Sequence, residues 1–190
     1  MSYRYERLSF SGLVDLISAD GLYHLGFSFL FGMSIWVNFI GGVIAYRALP
    51  RQQFGALQHR TFPVFFSTSQ ILSSILLILW TLSHPDVVSN WYNPVIADVA
   101  QAWALATVLV TQGTNDWVVG PLTSKTMFKR QRLEKAEGKN YNDSGVSDEM
   151  KALNKRFGML HGVSYLLSMG AVVGLIFHGL WLGNVGLRGY

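Results

Sequence analysis

The chain has 190 residues, half of them hydrophobic and only 14% charged, with a net charge of +4. A soluble domain usually carries about a quarter charged residues, so the composition excludes an ordinary soluble globule. The absence of cysteine excludes disulfides, thiolate metal sites and cysteine nucleophiles.

The charges that exist are clustered. Residues 21–46, 61–85 and 157–187 contain no Asp, Glu, Lys or Arg, and a shorter charge-free run covers 99–115 between Asp98 and Asp116. A membrane-spanning helix needs roughly 20 mostly apolar residues. The chain therefore reads as an all-α integral membrane four-helix bundle with spans at about 22–46, 62–83, 95–118 and 158–183. Two domains are expected: an amphipathic segment 1–20, and the four-span domain 21–190 with its basic loop 119–157.

In chain order, the first twenty residues carry Glu6, Asp15 and Asp20 and have no continuous apolar core, so they do not resemble a cleaved signal peptide. Phe10, Leu13, Val14 and Ile17 recur at helical spacing, one face of a short amphipathic helix. It lies on the membrane surface or packs on the bundle, and both readings are open. The first span carries Ser34, Asn38 and Gly42 at four-residue intervals. It stops at Arg47, and Pro50 helps end the helix by removing an N–H and restricting its predecessor. Phe54, Leu57 and Phe62, in the connection to the second span, can lie in the lipid interface or against the bundle.

Gln70 lies in the second span, and Trp91 and Tyr92 precede the third. The third carries Gln101, Ala104, Val108, Thr111 and Asn115 along one face and ends near Trp117. Aromatic residues at these boundaries suit the headgroup level, as does Trp181 near the end of span four. Thr123 to Glu137 lacks Gly and Pro, so it should extend the third helix beyond the membrane. GKNYNDSG (138–145) breaks it, and Ser147 can cap a second short helix with Met150, Leu153 and Phe157 along one side. The fourth span contains two GxxxG pairs, Gly170 with Gly174 and Gly179 with Gly183, which serve internal packing or self-association.

Twelve of the 15 Lys and Arg residues fall in the loops 47–61 and 119–157. The positive-inside rule places those loops in the cytosol and both termini on the lumenal or exterior side. This sidedness explains the pI near 9.4 better than nucleic acid does, and no nucleic-acid partner is expected. An endomembrane of the ER or secretory pathway is the default expectation, and a mitochondrial membrane is the alternative.

Polar residues inside a span are costly unless paired. Asn38, Gln70, Gln112, Asn115, Asp116 and His161 all fall in the half of the bundle nearest the basic loops. The expectation is a polar cluster there, with Asp116 paired to His161, Arg47 or both. Hydrogen bonding that only holds the helices together is the plainer reading, and a solute or ion site the sharper one. His24 and His178 are the depth-matched pair that could ligate a b-type haem in such a bundle. Histidines near interfaces are ordinary, so no cofactor and no metal is expected. GxSxG, Walker A and HExxH motifs are absent, and no catalytic residue is assigned.

The stretch GMSIWVNFIGGVIAYRALPRQQFGALQHRTFPVFF resembles the signature of the transmembrane protein 205-like family of small four-span proteins. The residues that carry it are Gly32, Met33, Trp36, Phe39 and Gly42, then Arg47, Leu49, Pro50, Arg51, Phe54, Gly55, Gln58, Phe62, Pro63 and Phe66. Asn115, Trp117, Pro121 and Thr123 extend it, as do Phe157, His161, Gly162 and Ser164. The resemblance implies four spans and a membrane location. Some animal members are associated with drug resistance and vesicular traffic, which names no substrate. The expected function is non-enzymatic and by association in the lipid bilayer, with a membrane-protein partner or as a homo-oligomer. Such a protein is an accessory subunit, or a trafficking or lipid-organising factor. A small-solute or lipid transporter or channel is the alternative, and a haem- or metal-binding redox protein the second alternative.

Overall fold

The computed structural model describes residues 9–15 and 17–186. Arg4, Glu6, Arg7 and Arg188 lie outside them. α1 (Phe10–Asp15) is followed by α2 (Ala19–Ile35), a π-helical turn (Trp36–Gly41) and α3 (Gly42–Ala48), which join into one rod. α4 (Arg51–Ser83) returns, and the short α5 (Asp86–Ser89) leads to α6 (Ala97–Thr114). A second π-helical turn (Asn115–Val119) then runs into α7 (Gly120–Glu137), and α8 (Asp148–Gly186) closes the chain.

Four long rods thus form the bundle. α2 packs on α4 and α8, and α6 packs on the same two. Between them sits an apolar centre that includes Tyr23, Phe27, Leu30, Leu76, Trp80, Leu105, Val108 and Leu175. Three rods are long and apolar enough to cross a membrane: Ala19–Ala48, Arg51–Ser83 and Asp148–Asn184. The remaining expected span, the third in chain order (95–118), is present as a helix but is less apolar. Its buried face carries Gln101, Gln112 and Asn115, which lipid would not tolerate but neighbouring helices can. Large apolar side chains on the outer faces, among them Leu25, Phe29, Ile71, Ile78, Val110 and Leu180, stand exposed. In lipid no penalty attaches to that exposure.

Several expectations need correction in detail. The connection 51–61 is helix, not loop. Pro50 precedes its first turn, and Pro63 is accommodated inside α4, since the sequence between them has only Gly55 as a weak breaker. The helix that Ser147 begins does not end before span four. Ser147 Oγ accepts the Met150 N–H at 3.1 Å, and α8 then runs unbroken into the bundle, because its first ten residues contain neither Gly nor Pro. The break before it falls where expected, with Gly138 at φ 63° ending α7. At the other terminus, Phe10, Leu13, Val14 and Ile17 of the amphipathic face are all exposed.

Glycine sets the helix spacing in α8. A Cβ on Gly174 would stand 3.0 Å from the Ala104 carbonyl oxygen, and one on Gly179 would meet the Phe27 ring at 2.8 Å. One glycine of each GxxxG pair therefore serves internal packing. A Cβ on Gly162, by contrast, would meet nothing within 4 Å. Gly174→Val should lower stability by about 1–3 kcal/mol through overpacking, while Gly162→Val should leave it unchanged. Thermal unfolding of the two variants in the same detergent checks this.

Candidate functional site

α6 places Gln101, Leu105, Val108, Gln112 and Asn115 on its buried face, each 0–1% exposed. The expected face is rotated slightly: Ala104 and Thr111 are only partly buried. Polar groups therefore occur in two layers, with Leu105 and Val108 between them.

In the layer farther from the basic loops, His178 is fully buried and both ring nitrogens are engaged. Nδ1 lies 2.9 Å from Gln101 Oε1, and Nε2 lies 2.7 Å from the Tyr23 hydroxyl. A carboxamide oxygen only accepts, so Nδ1 carries the proton and the tyrosine hydroxyl donates to Nε2. The rings of Phe27 and Trp80 stand edge-on to the imidazole. This corrects the haem pairing. His178 has no free nitrogen to offer a metal, and His24 is exposed with Nδ1 2.8 Å from its own helix, at the Asp20 carbonyl. Among the described residues, no cluster of three or more His, Asp or Glu side chains could hold a metal ion.

The second layer holds two separate sets of hydrogen bonds, one to α4 and one to α8. Asp116 Oδ2 accepts from Gln70 Nε2 at 2.8 Å and from Ser67 Oγ at 3.0 Å, joining the start of the second π turn to α4. Asn115 Nδ2 donates to the Ser164 carbonyl at 3.1 Å and to Ser168 Oγ at 3.2 Å, joining the same turn to α8. The predicted partners of Asp116 do not take part. Arg47 is exposed at the end of α3. His161 is exposed on α8 and stacks on Phe157, with ring centroids 5.9 Å apart. Asn38 is partly buried and bonds only along its own rod, donating Nδ2 to the Ser34 carbonyl at 2.8 Å. Gln112 is buried with both amide atoms lacking a partner among the described residues, and Gln101 Nε2 and Asn115 Oδ1 are likewise unpartnered.

The residues of the opening motif build the basic end. Trp36 is exposed and spans the first π turn, where a Cβ on Gly41 would stand 2.8 Å from its Nε1. Gly42 lies beside Gln58, and Gly55 lies against Met127 of α7. Phe54 meets Tyr46 edge-on at 5.5 Å. Pro50 starts α4, and Arg51 reaches α7: its Nη2 donates to both oxygens of Glu134 at 2.5 Å. Glu134 also accepts the Tyr141 N–H at 2.8 Å. The Tyr141 ring lies under two guanidinium groups, Arg51 at 4.6 Å and Arg130 at 4.4 Å, and Arg130 also lies over Phe157 at 4.4 Å. Burial, then the neighbouring Arg51, hold Arg130 below the usual guanidinium pKa. Sequence reasoning found Arg51 but not Arg130, Glu134 or Tyr141. The one signal for Arg130 and Glu134 was their four-residue spacing with Thr126, the buried face of α7.

Long antiparallel rods, three apolar enough for a bilayer, closed around layers of polar residues, define a multi-pass helical membrane protein. Residues 25–132, more than half the chain, match the family model described as a domain of unknown function, DUF4149, and the chain belongs to that family. It is also similar to Transmembrane protein 205 of Danio rerio, at 26% identity over 181 residues, covering 86% of this chain and 93% of that protein. The resemblance drawn from the motif residues is thereby confirmed. No solved structure matches the chain.

Gln112 of α6 and Asn115, which opens the second π turn, should respond oppositely to the same change. Asn115→Leu removes two bonds to α8 and orphans Ser168, and should cost about 1–2 kcal/mol. Gln112→Leu removes unpaired amide atoms at similar volume, so stability should hold or rise by up to about 2 kcal/mol. Unfolding of both variants in one detergent measures this.

Proposed function

We propose that the protein is a non-enzymatic multi-pass membrane protein that acts by association, as an accessory subunit of a membrane assembly or as an organiser of traffic or lipid. The observation that supports this reading is the layering of the interior. Leu105 and Val108, 0% and 1% exposed, separate the two polar layers, so the polar residues do not line a continuous path. Two shallow depressions lie outside the bundle on the α7 arm, one lined by Phe128, Gln131, Arg132 and Lys135, the other by Gln52, Glu134, Lys135, Gly138, Lys139 and Asn140. Neither includes a residue of the polar layers. Hydrogen bonds between helices account for Asn115, Gln70 and Asp116 without a transported solute.

A transporter is the second reading, and Gln112 is what favours it. An amide buried without partners is a place where a passing polar group could bond. Two experiments separate the readings. Gentle native extraction with mass spectrometry should show a stoichiometric partner or a second copy, and reconstituted vesicles should show no solute flux. A chain that elutes alone and carries flux that Gln112→Leu abolishes would overturn association.

The orientation proposed with this function puts the loops 49–50 and 138–147 in the cytosol and residues 84–96 in the lumen of an endomembrane, following the basic residues. The chain lacks cysteine, so single introduced cysteines report sidedness cleanly. Asn142→Cys should label from the cytosolic side only and Asn93→Cys from the lumenal side only. The reverse pattern in membrane-impermeant maleimide labelling rejects the orientation.

A further inference from the structure

We propose that Arg51 and Arg130, at the basic end of the bundle, form a binding site for a phosphate ester. The ester is either that of a lipid headgroup or that of a free phosphate compound. The inference does not depend on the association reading.

The argument starts from Arg130. It is 8% exposed and projects from the buried face of α7. Its guanidinium lies between two aromatic rings, 4.4 Å from the centroid of Tyr141 and 4.4 Å from that of Phe157. Rings engage the faces of a guanidinium, and its N–H groups lie in the plane between them. Stacking therefore leaves the donor edge available. Nε has no hydrogen-bond partner, and among the described residues no carboxylate lies within ion-pair distance of Arg130. A cation buried this far with an unpaired donor is incomplete by itself.

Arg51 brings a second positive charge to the opposite part of the same small region, 4.6 Å from the Tyr141 centroid. Among the described residues, Glu134 is the one carboxylate paired in this cluster, and it pairs with Arg51 and not with Arg130. Glu134 bonds Arg51 and the Tyr141 N–H, which leaves the cluster with one uncompensated positive charge. Lys135 and Lys139 line the adjoining depression with Gln52, Asn140 and the Glu134 already bonded to Arg51, and Lys139 is held there by the Gly145 carbonyl at 3.0 Å. Rigid planar donors backed by a local positive excess suit a doubly or singly charged phosphate better than a carboxylate partner of the chain, which Glu134 already supplies to Arg51. The position fits a membrane source. Arg51 stands three residues after the apolar rod Ala19–Ala48 ends, the level at which lipid phosphates occur.

The test is native mass spectrometry of the purified full chain with phosphatidic acid or phosphatidylcholine, alongside competition by inorganic phosphate. Wild type should retain phosphatidic acid over phosphatidylcholine. Arg130→Gln should reduce that retention by about tenfold or more, and Arg130→Lys by several-fold, since an ammonium offers no planar fork. Lys155→Gln, which removes one charge from an exposed position on α8, should retain it. Displacement by inorganic phosphate would assign the site to a free phosphate compound, and resistance to displacement would assign it to the headgroup. Equal losses in Arg130→Gln and Lys155→Gln would reduce the effect to diffuse charge and overturn the proposal, as would equal retention of the two lipids by wild type. Should Arg130→Gln fail to fold, hydrogen exchange on wild type decides. Phosphatidic acid should slow exchange across 138–145 where phosphatidylcholine does not, and unchanged exchange there would also overturn the site.

Discussion

The polar face of α6 is the constraint from which the bundle's geometry follows. α4 and α8 flank this helix, so its glutamines and its asparagine reach neither lipid headgroups nor bulk water. Partners can come only from neighbouring helices, and Gln112 finds none among the described residues. Gln70 on α4 meets Asp116, and Ser164 and Ser168 on α8 meet Asn115. Reaching a backbone carbonyl on a neighbouring helix requires close approach, and Gly174 permits it by leaving room for the Ala104 carbonyl. Small residues and polar pairing thus act together, as expected where the hydrophobic effect gives helices no reason to associate.

At the basic end the logic changes from neutral hydrogen bonds to charge and π faces. Arg51 ties the first turn of α4 to α7 through Glu134. Tyr141 then ties the 138–147 connection to both arginines and, through its carbonyl, to Asn154 of α8 at 2.7 Å. Three separate parts of the chain are clamped around one tyrosine ring. This explains why a segment rich in Gly, Asn and Ser holds a defined course between α7 and α8. Arg47, four residues from Arg51, enters none of these contacts and stays exposed at the end of α3. Two arginines of one short motif therefore have different physical roles, one anchoring the arm and the other facing the surroundings.

Much of the architecture was legible because lipid imposes a strong pattern. Charge-free runs located the rods, and Gly138 and Ser147 marked the turn between α7 and α8 through specific backbone chemistry. What remained hidden was of two kinds. Periodicity identifies the face a residue occupies but not the helix opposite, so Asp116 was matched to the charged candidates Arg47 and His161 and not to the neutral Gln70 and Ser67. Periodicity also assumes one constant turn. Ser34, Asn38 and Gly42 were read as a straight stripe, yet the π turn at Trp36–Gly41 interrupts it, and Asn38 bonds to its own helix. The polar layer of Tyr23, His178 and Gln101 was missed because a buried neutral imidazole and a metal-ligating one look the same in sequence.

The second π turn ties the two ends of the site region together mechanically. The Gly120 N–H bonds back to the Asn115 carbonyl, five residues earlier, and a Cβ at Gly120 would stand 2.7 Å from that oxygen. Such a turn holds one residue more than a regular helix would, and each residue of an α-helix rotates the chain by about 100°. The azimuth of α7 is thus set by a single surplus residue next to Asn115 and Asp116. Were that turn to tighten into regular helix, Arg130 and Glu134 would swing away from Tyr141 and Arg51 while the bundle below stayed closed. Asparagine and aspartate, bonded to α8 and α4, sit at the point where that rotation would begin. One residue of register at this turn therefore corresponds to about 100° in the azimuth of the arm.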